Sequence, residues 1–86
     1  MNNEENLDAA IKRLFQKLFE IEPESVIDRT RRGELERWDS LGHLQLLESL
    51  STEFNIEVPP QLALQMETFL DVKRTVSDLT ARKTNS

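Results

Sequence analysis

The chain has no cysteine and no tyrosine, and among its 86 residues there are only one tryptophan, one histidine, two glycines and three prolines. Without cysteine, no disulfide staples the fold and no thiolate of the chain can act as nucleophile or metal ligand. A single histidine leaves no His/Cys set from which a metal site could be assembled, so none is expected. Basic residues are also scarce: 11 Lys and Arg stand against 16 Asp and Glu, a net charge of −5. That balance argues against nucleic acid as a partner, because phosphate contacts need Lys and Arg. It favours partners with basic surfaces. No apolar run approaches the roughly 20 residues of a membrane span. The opening Met1-Asn2-Asn3-Glu4-Glu5 is polar and acidic, unlike a signal or transit peptide, so a cytoplasmic location is expected. A chain of this length forms one domain and buries about 60–65% of its unfolded surface, enough for one modest core but not for a deep catalytic cleft.

What is present is helical periodicity. Leu7, Ala10, Ile11, Leu14, Phe15 and Leu18 recur at helical spacing, with Phe19 at the shoulder of the stripe. They predict a first helix over about 4–20, capped by Asn3 or Asn6 and stopped before Pro23. Residues 21–38 form a long connection broken by Pro23, Gly33 and mixed charge, with Val26 and Ile27 expected to tuck a turn onto the core. Arg31, Arg32 and Arg37 in that connection either bind an anion or remain solvated beside Glu34 and Glu36. A second helix is predicted over about 40–54. At roughly 100° per residue its Leu44, Leu46, Leu47, Leu50 and Phe54 sweep about 160°, which defines the core face. Leu41 falls outside that arc, on the side of Gln45, Glu48 and Thr52. Asn55 is suited to end this helix in a left-handed conformation. Ile56-Glu57-Val58 is extended before Pro59. A short helix follows over about 61–65, and then a last helix capped by Thr68 with Asp71 three residues on. Phe69, Val72, Val76 and Leu79 form its buried stripe, and residues 82–86 are expected to be a frayed polar tail. No segment alternates like a strand. The fold class is all-α, three main helices and one short one in a bundle.

The stretch on which the chain turns is Trp38-Asp39-Ser40-Leu41-Gly42-His43-Leu44. Asp39 is a strong N-cap type directly before an apolar-periodic run. Ser40 therefore belongs at the first turn of a helix, with its hydroxyl in solvent. The unpaired N–H groups and partial positive charge of that turn favour a phosphate. His43 sits within the apolar arc one turn after Ser40. It either lines the mouth of a channel into the bundle or is a half-buried histidine satisfied by a loop carbonyl. Pairing Ser40 with His43 and Asp39 as a hydrolase is the weaker alternative, since Asp39 is needed as the cap and no oxyanion hole is evident.

An Asp-Ser-Leu that opens an amphipathic helix in a small acidic chain resembles the acyl carrier proteins. The similarity extends along the chain. A first helix and a long loop precede the motif, and Phe54-Asn55-Ile56-Glu57-Val58-Pro59 resembles the family's stretch after the second helix. Met66-Glu67-Thr68-Phe69, followed by Asp71-Val72, looks like the start of the family's last helix. The resemblance implies an acyl-carrier-protein-like bundle. It implies that Ser40 is esterified by 4′-phosphopantetheine from coenzyme A, with Asp39 as helix cap and motif residue. It also implies that the chain is a substrate of other enzymes rather than an enzyme. The expected partners are a phosphopantetheinyl transferase and then acyl-activating, synthase or acyltransferase enzymes, met by a monomer. In this family the leucine after the serine contacts partner enzymes, so Leu41, Glu48 and Leu62 are the candidate partner-binding residues. The chain departs from the family in one respect. Its second helix offers only Glu48 and Glu53, and its short helix carries Leu62 and Leu64 with no acid. That suggests a dedicated biosynthetic pathway with a more apolar docking footprint, unless these leucines pack into the core. Two alternatives stay open: an aminoacyl or peptidyl carrier, and a helical interaction module with no prosthetic group.

Overall fold

The structure, a computed structural model, describes residues 3–85, with side chains over 6–82. Four helices follow one another: α1 over Asn3–Phe19, α2 over Ser40–Phe54, α3 over Pro60–Gln65 and α4 over Phe69–Asn85. A single 3-10 turn, Pro23–Ser25, interrupts the long connection between α1 and α2. The only bridge-like pairing among the described residues is an isolated one between Arg31 and Thr68. The all-α bundle of three main helices and one short one is the observed architecture.

Helix α1 starts early enough to include Asn3, so Asn6 lies inside it and does not cap it. Pro23 does not end it either. Glu20 takes a left-handed φ of 56° and donates its N–H to the Gln16 carbonyl at 3.0 Å, closing the helix three residues earlier. The Glu20 carboxylate then reaches Arg37 at 3.0 Å, which ties the end of α1 to the segment leading into α2.

The connection is pinned along its length. Val26 is buried as expected, but Ile27 is 48% exposed. The turn that follows buries Thr30 in its place, and the Thr30 hydroxyl accepts from Ile27 N–H at 2.9 Å. The carbonyls of Thr30 and Asp28 accept from Phe69 and Leu70 N–H, both at 2.9 Å. These are two of the amides that the first turn of α4 leaves without helical partners. Thr68 and Asp71 complete that cap reciprocally. Asp71 N–H donates to Thr68 Oγ1 and Thr68 N–H donates to Asp71 Oδ2, each at 3.1 Å.

Four aromatic rings centre the core. Phe15 meets Phe19, Trp38 and Phe69 edge-on at centroid distances of 5.1, 4.9 and 5.2 Å, the arrangement that ring quadrupoles favour. Leu46 and Leu50 of α2, and Val72 and Val76 of α4, close around them. At one side of the bundle Lys73 bridges Asp8 and Asp28 at 2.9 and 2.7 Å, linking α4 to α1 and to the connection. Burial works against the charged Asp8 carboxylate, but hydrogen bonds from Lys73 and Lys12 outweigh it and hold its pKa below the ordinary value.

One expectation about α2 needs correction. Leu44 is 63% exposed and does not belong to the core face of α2. Helix α3 is six residues long and leaves a gap beside this turn instead of covering it. The backbone of residues 82–85 is helical. No Gly or Pro interrupts the helix, α4 continues to Asn85, and an Asp78–Arg82 pair at 3.0 Å spans its late turns. Residue 86 lies outside the described residues.

Candidate functional site

Asp39 caps α2 as its residue type predicts. Its backbone is extended, and Oδ1 accepts from Gly42 N–H at 2.9 Å. Ser40 is the first helical residue and is exposed. The carboxylate that could have competed for the Ser40 hydroxyl is thus turned into the helix start.

Trp38 and His43 supply the floor beneath this turn. They occupy the positions just before the cap and four residues into the helix, the two ends of a hydrophobic staple. Both are buried, with near-parallel rings at 6.3 Å. Trp38 Nε1–H donates to His43 Nδ1 at 3.1 Å. An indole N–H only donates, so Nδ1 is unprotonated. The other ring nitrogen lies 2.9 Å from the Ala63 carbonyl of α3 and must therefore be the donor, Nε2–H. His43 is a neutral imidazole with both nitrogens occupied, and it is the tie that holds α3 against α2. Burial pushes its pKa down, the Ala63 hydrogen bond acts the other way, and the nearby Arg32 charge again lowers it; the net direction is down. A carbonyl satisfies His43, but it comes from helix α3 rather than from a loop, and the residue is buried rather than half-buried. Neither nitrogen is available to Ser40, so the three residues do not form a catalytic triad.

Gly42 is required by close packing. A Cβ there would collide with the Arg37 carbonyl oxygen and approach Phe19 Cε1 to 3.1 Å. The chain before the cap passes directly against the first turn of α2, and only glycine leaves room for it.

Beside Ser40 lies an open groove of about 840 Å³ between α2, α3 and the connection. Trp38, Leu44, Leu47, Val58, Ala63 and Leu64 give it apolar walls, and Arg32, Asp39, Ser40 and His43 border it with polar groups. Leu64 is 74% exposed on its rim, whereas Leu62 is half-buried. Leu41, 65% exposed, and Glu48, also exposed, share the outward side of α2 with Leu44. Arg31, Arg32 and Arg37 do not converge. Arg31 pairs with Glu67 and Arg37 with Glu20, each at 3.0 Å. Arg32 alone joins the groove.

The chain matches no protein-family model and no curated protein. Among the described residues no group of three or more His, Asp or Glu gathers into a possible metal site, and no helix is long and apolar enough to cross a membrane.

Asp39 caps α2 and Ser40 and Leu41 are exposed at its start, as the sequence predicts, but the sequence reading missed Trp38, Gly42 and the isolation of Arg32. Two of these had signals. The lone tryptophan directly precedes a cap residue, and a glycine in the first turn of a helix usually marks a close backbone approach. Arg32 had none, since its separation from Arg31 and Arg37 depends on where Glu67 and Glu20 fall.

Proposed function

We propose that this chain is a carrier protein: Ser40 accepts a 4′-phosphopantetheine arm, and acyl intermediates of a dedicated biosynthetic pathway ride on that arm as thioesters. The observation that carries the reading is the placement of Ser40. It is exposed at the first residue of an Asp-capped helix and stands on the rim of an apolar groove that a tethered chain can enter. In the loading step Ser40 Oγ bonds to the pantetheine-side phosphorus of coenzyme A. The pyrophosphate bond breaks, adenosine bisphosphate leaves, and the serine proton passes to a base. That base must belong to a separate transferase, because His43 is committed to Trp38 and Ala63 and Asp39 to Gly42. The unpaired N–H groups of the first turn favour the phosphodiester once it is made.

The carrier works in the cytoplasm, as a monomer, on successive acyl-activating, synthase or acyltransferase enzymes. The tether raises the substrate's effective concentration at each of them. Leu41 and Glu48 on the outward side of α2, with Leu62 and the more exposed Leu64 of α3, form the docking face. Intact-protein mass after incubation with coenzyme A, magnesium and a broad-specificity phosphopantetheinyl transferase tests the reading. Wild type should gain one arm and Ser40→Ala none. A folded wild type that gains nothing with several such transferases leaves a helical interaction module as the better account.

A further inference from the structure

Four arginines stand in the connection before α2: Arg31 pairs with Glu67 and Arg37 with Glu20, while Arg29 is exposed and lies off the groove. Arg32 has no acidic partner among the described residues, yet its side chain is half-buried along the groove that Ser40 borders. Withdrawing a guanidinium partly from water without an anion is unfavourable. The backbone holds it there nonetheless. Arg32 N–H donates to the Glu67 carbonyl at 2.6 Å, and Gly33 N–H donates to the Trp38 carbonyl at 2.9 Å. Both sides of the residue are thereby fixed to elements that frame the site. Asp39, the one carboxylate on the groove wall, has its Oδ1 engaged by Gly42 N–H and makes no ion pair with Arg32. At Gly33, with φ at 94°, no atom beyond its two chain neighbours stands within 4 Å of where a Cβ would lie.

We infer that Arg32 is the counterion of a phosphodiester attached at Ser40, positioning the arm along the groove rather than out into solvent. The inference rests on the carrier function proposed above. A phosphate is favoured over an anion at the far end of the cargo because it is bonded directly to Ser40 Oγ. It therefore stands at the groove border in every loaded molecule, at the high effective concentration of a short tether. The guanidinium fork matches two phosphate oxygens at once, which an ammonium does not. Arg32 is a positioning residue and takes no part in bond-making.

The test uses loaded protein and four chains: wild type, Arg32→Gln, Arg32→Lys and, as a control for net charge, Arg37→Gln. Intact mass first reports whether the arm is on; if no chain loads, the carrier reading fails and this inference falls with it. With loading established, the phosphorus NMR resonance of the phosphodiester should move in Arg32→Gln, return part of the way in Arg32→Lys and stay in place in Arg37→Gln. At low salt, loading should lower the melting temperature more in Arg32→Gln than in wild type, and the difference should shrink as salt screens the pair. Should Arg32→Gln fail to fold, the side-chain Nε–H resonance of Arg32 in wild type decides, since it should shift between unloaded and loaded protein. A phosphorus resonance identical in wild type and Arg32→Gln, an equal change in Arg37→Gln, or an Arg32 Nε–H resonance indifferent to loading would each overturn the assignment.

Discussion

His43 is neutral in the folded protein because its two hydrogen bonds leave no place for a second ring proton. Protonating Nδ1 would set N–H against the N–H of Trp38. The pKa is therefore depressed below its ordinary value of 6.5, chiefly by burial. As pH falls, the unfolded chain takes up its proton first, so stability is complete above about 6.5 and is lost as pH falls through the lower, folded-state value. Denaturation midpoints should decline between about pH 7.5 and about pH 5.5, above the range in which carboxylates titrate, and His43→Gln should flatten that decline. The single tryptophan gives the same experiment a fluorescent reporter at the bond concerned. A wild-type midpoint that stays level across this range would mean that the histidine does not couple to folding. Gly42 makes the opposite point about residue type. In an open helix, Gly→Ala gains about 1 kcal/mol from propensity. Here the added methyl meets the backbone oxygen of Arg37, which cannot swing aside like a side chain. Gly42→Ala should lower stability by about 1–3 kcal/mol, measured by urea denaturation.

Helix α2 shows how a periodic pattern is trimmed by its neighbours. Leu46 and Leu50 are fully buried, while Leu47 and Phe54 pack against the core from its edge. Leu44 sits one position from His43 yet faces the groove, because α3 is too short to cover it. Leu46→Ala should cost about 2–5 kcal/mol, since every removed atom leaves a cavity. Leu44→Ala should stay within about 0.5 kcal/mol of wild type, since the removed atoms face water. Thermal melts of the two variants measured side by side test which leucine faces the core, and similar losses in both would mean that the groove closes over Leu44. The start of α4 is secured twice, by the Thr68–Asp71 exchange and by the carbonyls of Thr30 and Asp28. Through these contacts the long connection belongs to the same packed unit as the helices, and the segment bearing Arg32 and Trp38 is held in place.

The whole molecule carries a net charge of −5. Several of its ion pairs, such as Arg31–Glu67 and Arg82–Asp78, are exposed, and exposed pairs contribute little. Net repulsion among carboxylates is then the larger long-range effect, and it is screened over about 10 Å at 0.1 M salt. The melting temperature should rise from low salt to about 0.2 M sodium chloride. A flat or falling profile would show that the ion pairs, Lys73–Asp8 the most sheltered among them, outweigh the repulsion. The same surplus of negative charge favours partners with basic surfaces, and Leu41, Leu44 and Leu64 leave apolar side chains exposed.

The amino-acid sequence by itself determined the four helices, the Asp39 cap, the exposed Ser40 and Leu41, the left-handed Asn55 and the Thr68–Asp71 cap. Each of these depends on residues within a few positions of one another, where spacing and side-chain chemistry suffice. The end of α1 near residue 20 was legible as well, but not the device that closes it, because a non-glycine residue in a left-handed turn, like Glu20, carries little local signal. Only the tertiary structure decided that Leu44 is outside, that His43 is shared between Trp38 and Ala63, that Gly42 must stay small, and that of the four arginines in the connection only Arg32 turns to the groove. The physical reason is the same in each case. The deciding atom comes from a distant part of the chain or from backbone passing close by: the short span of α3, the Ala63 carbonyl, the Arg37 carbonyl, the Glu67 and Glu20 carboxylates. No periodicity within α2 or the connection encodes where those atoms lie.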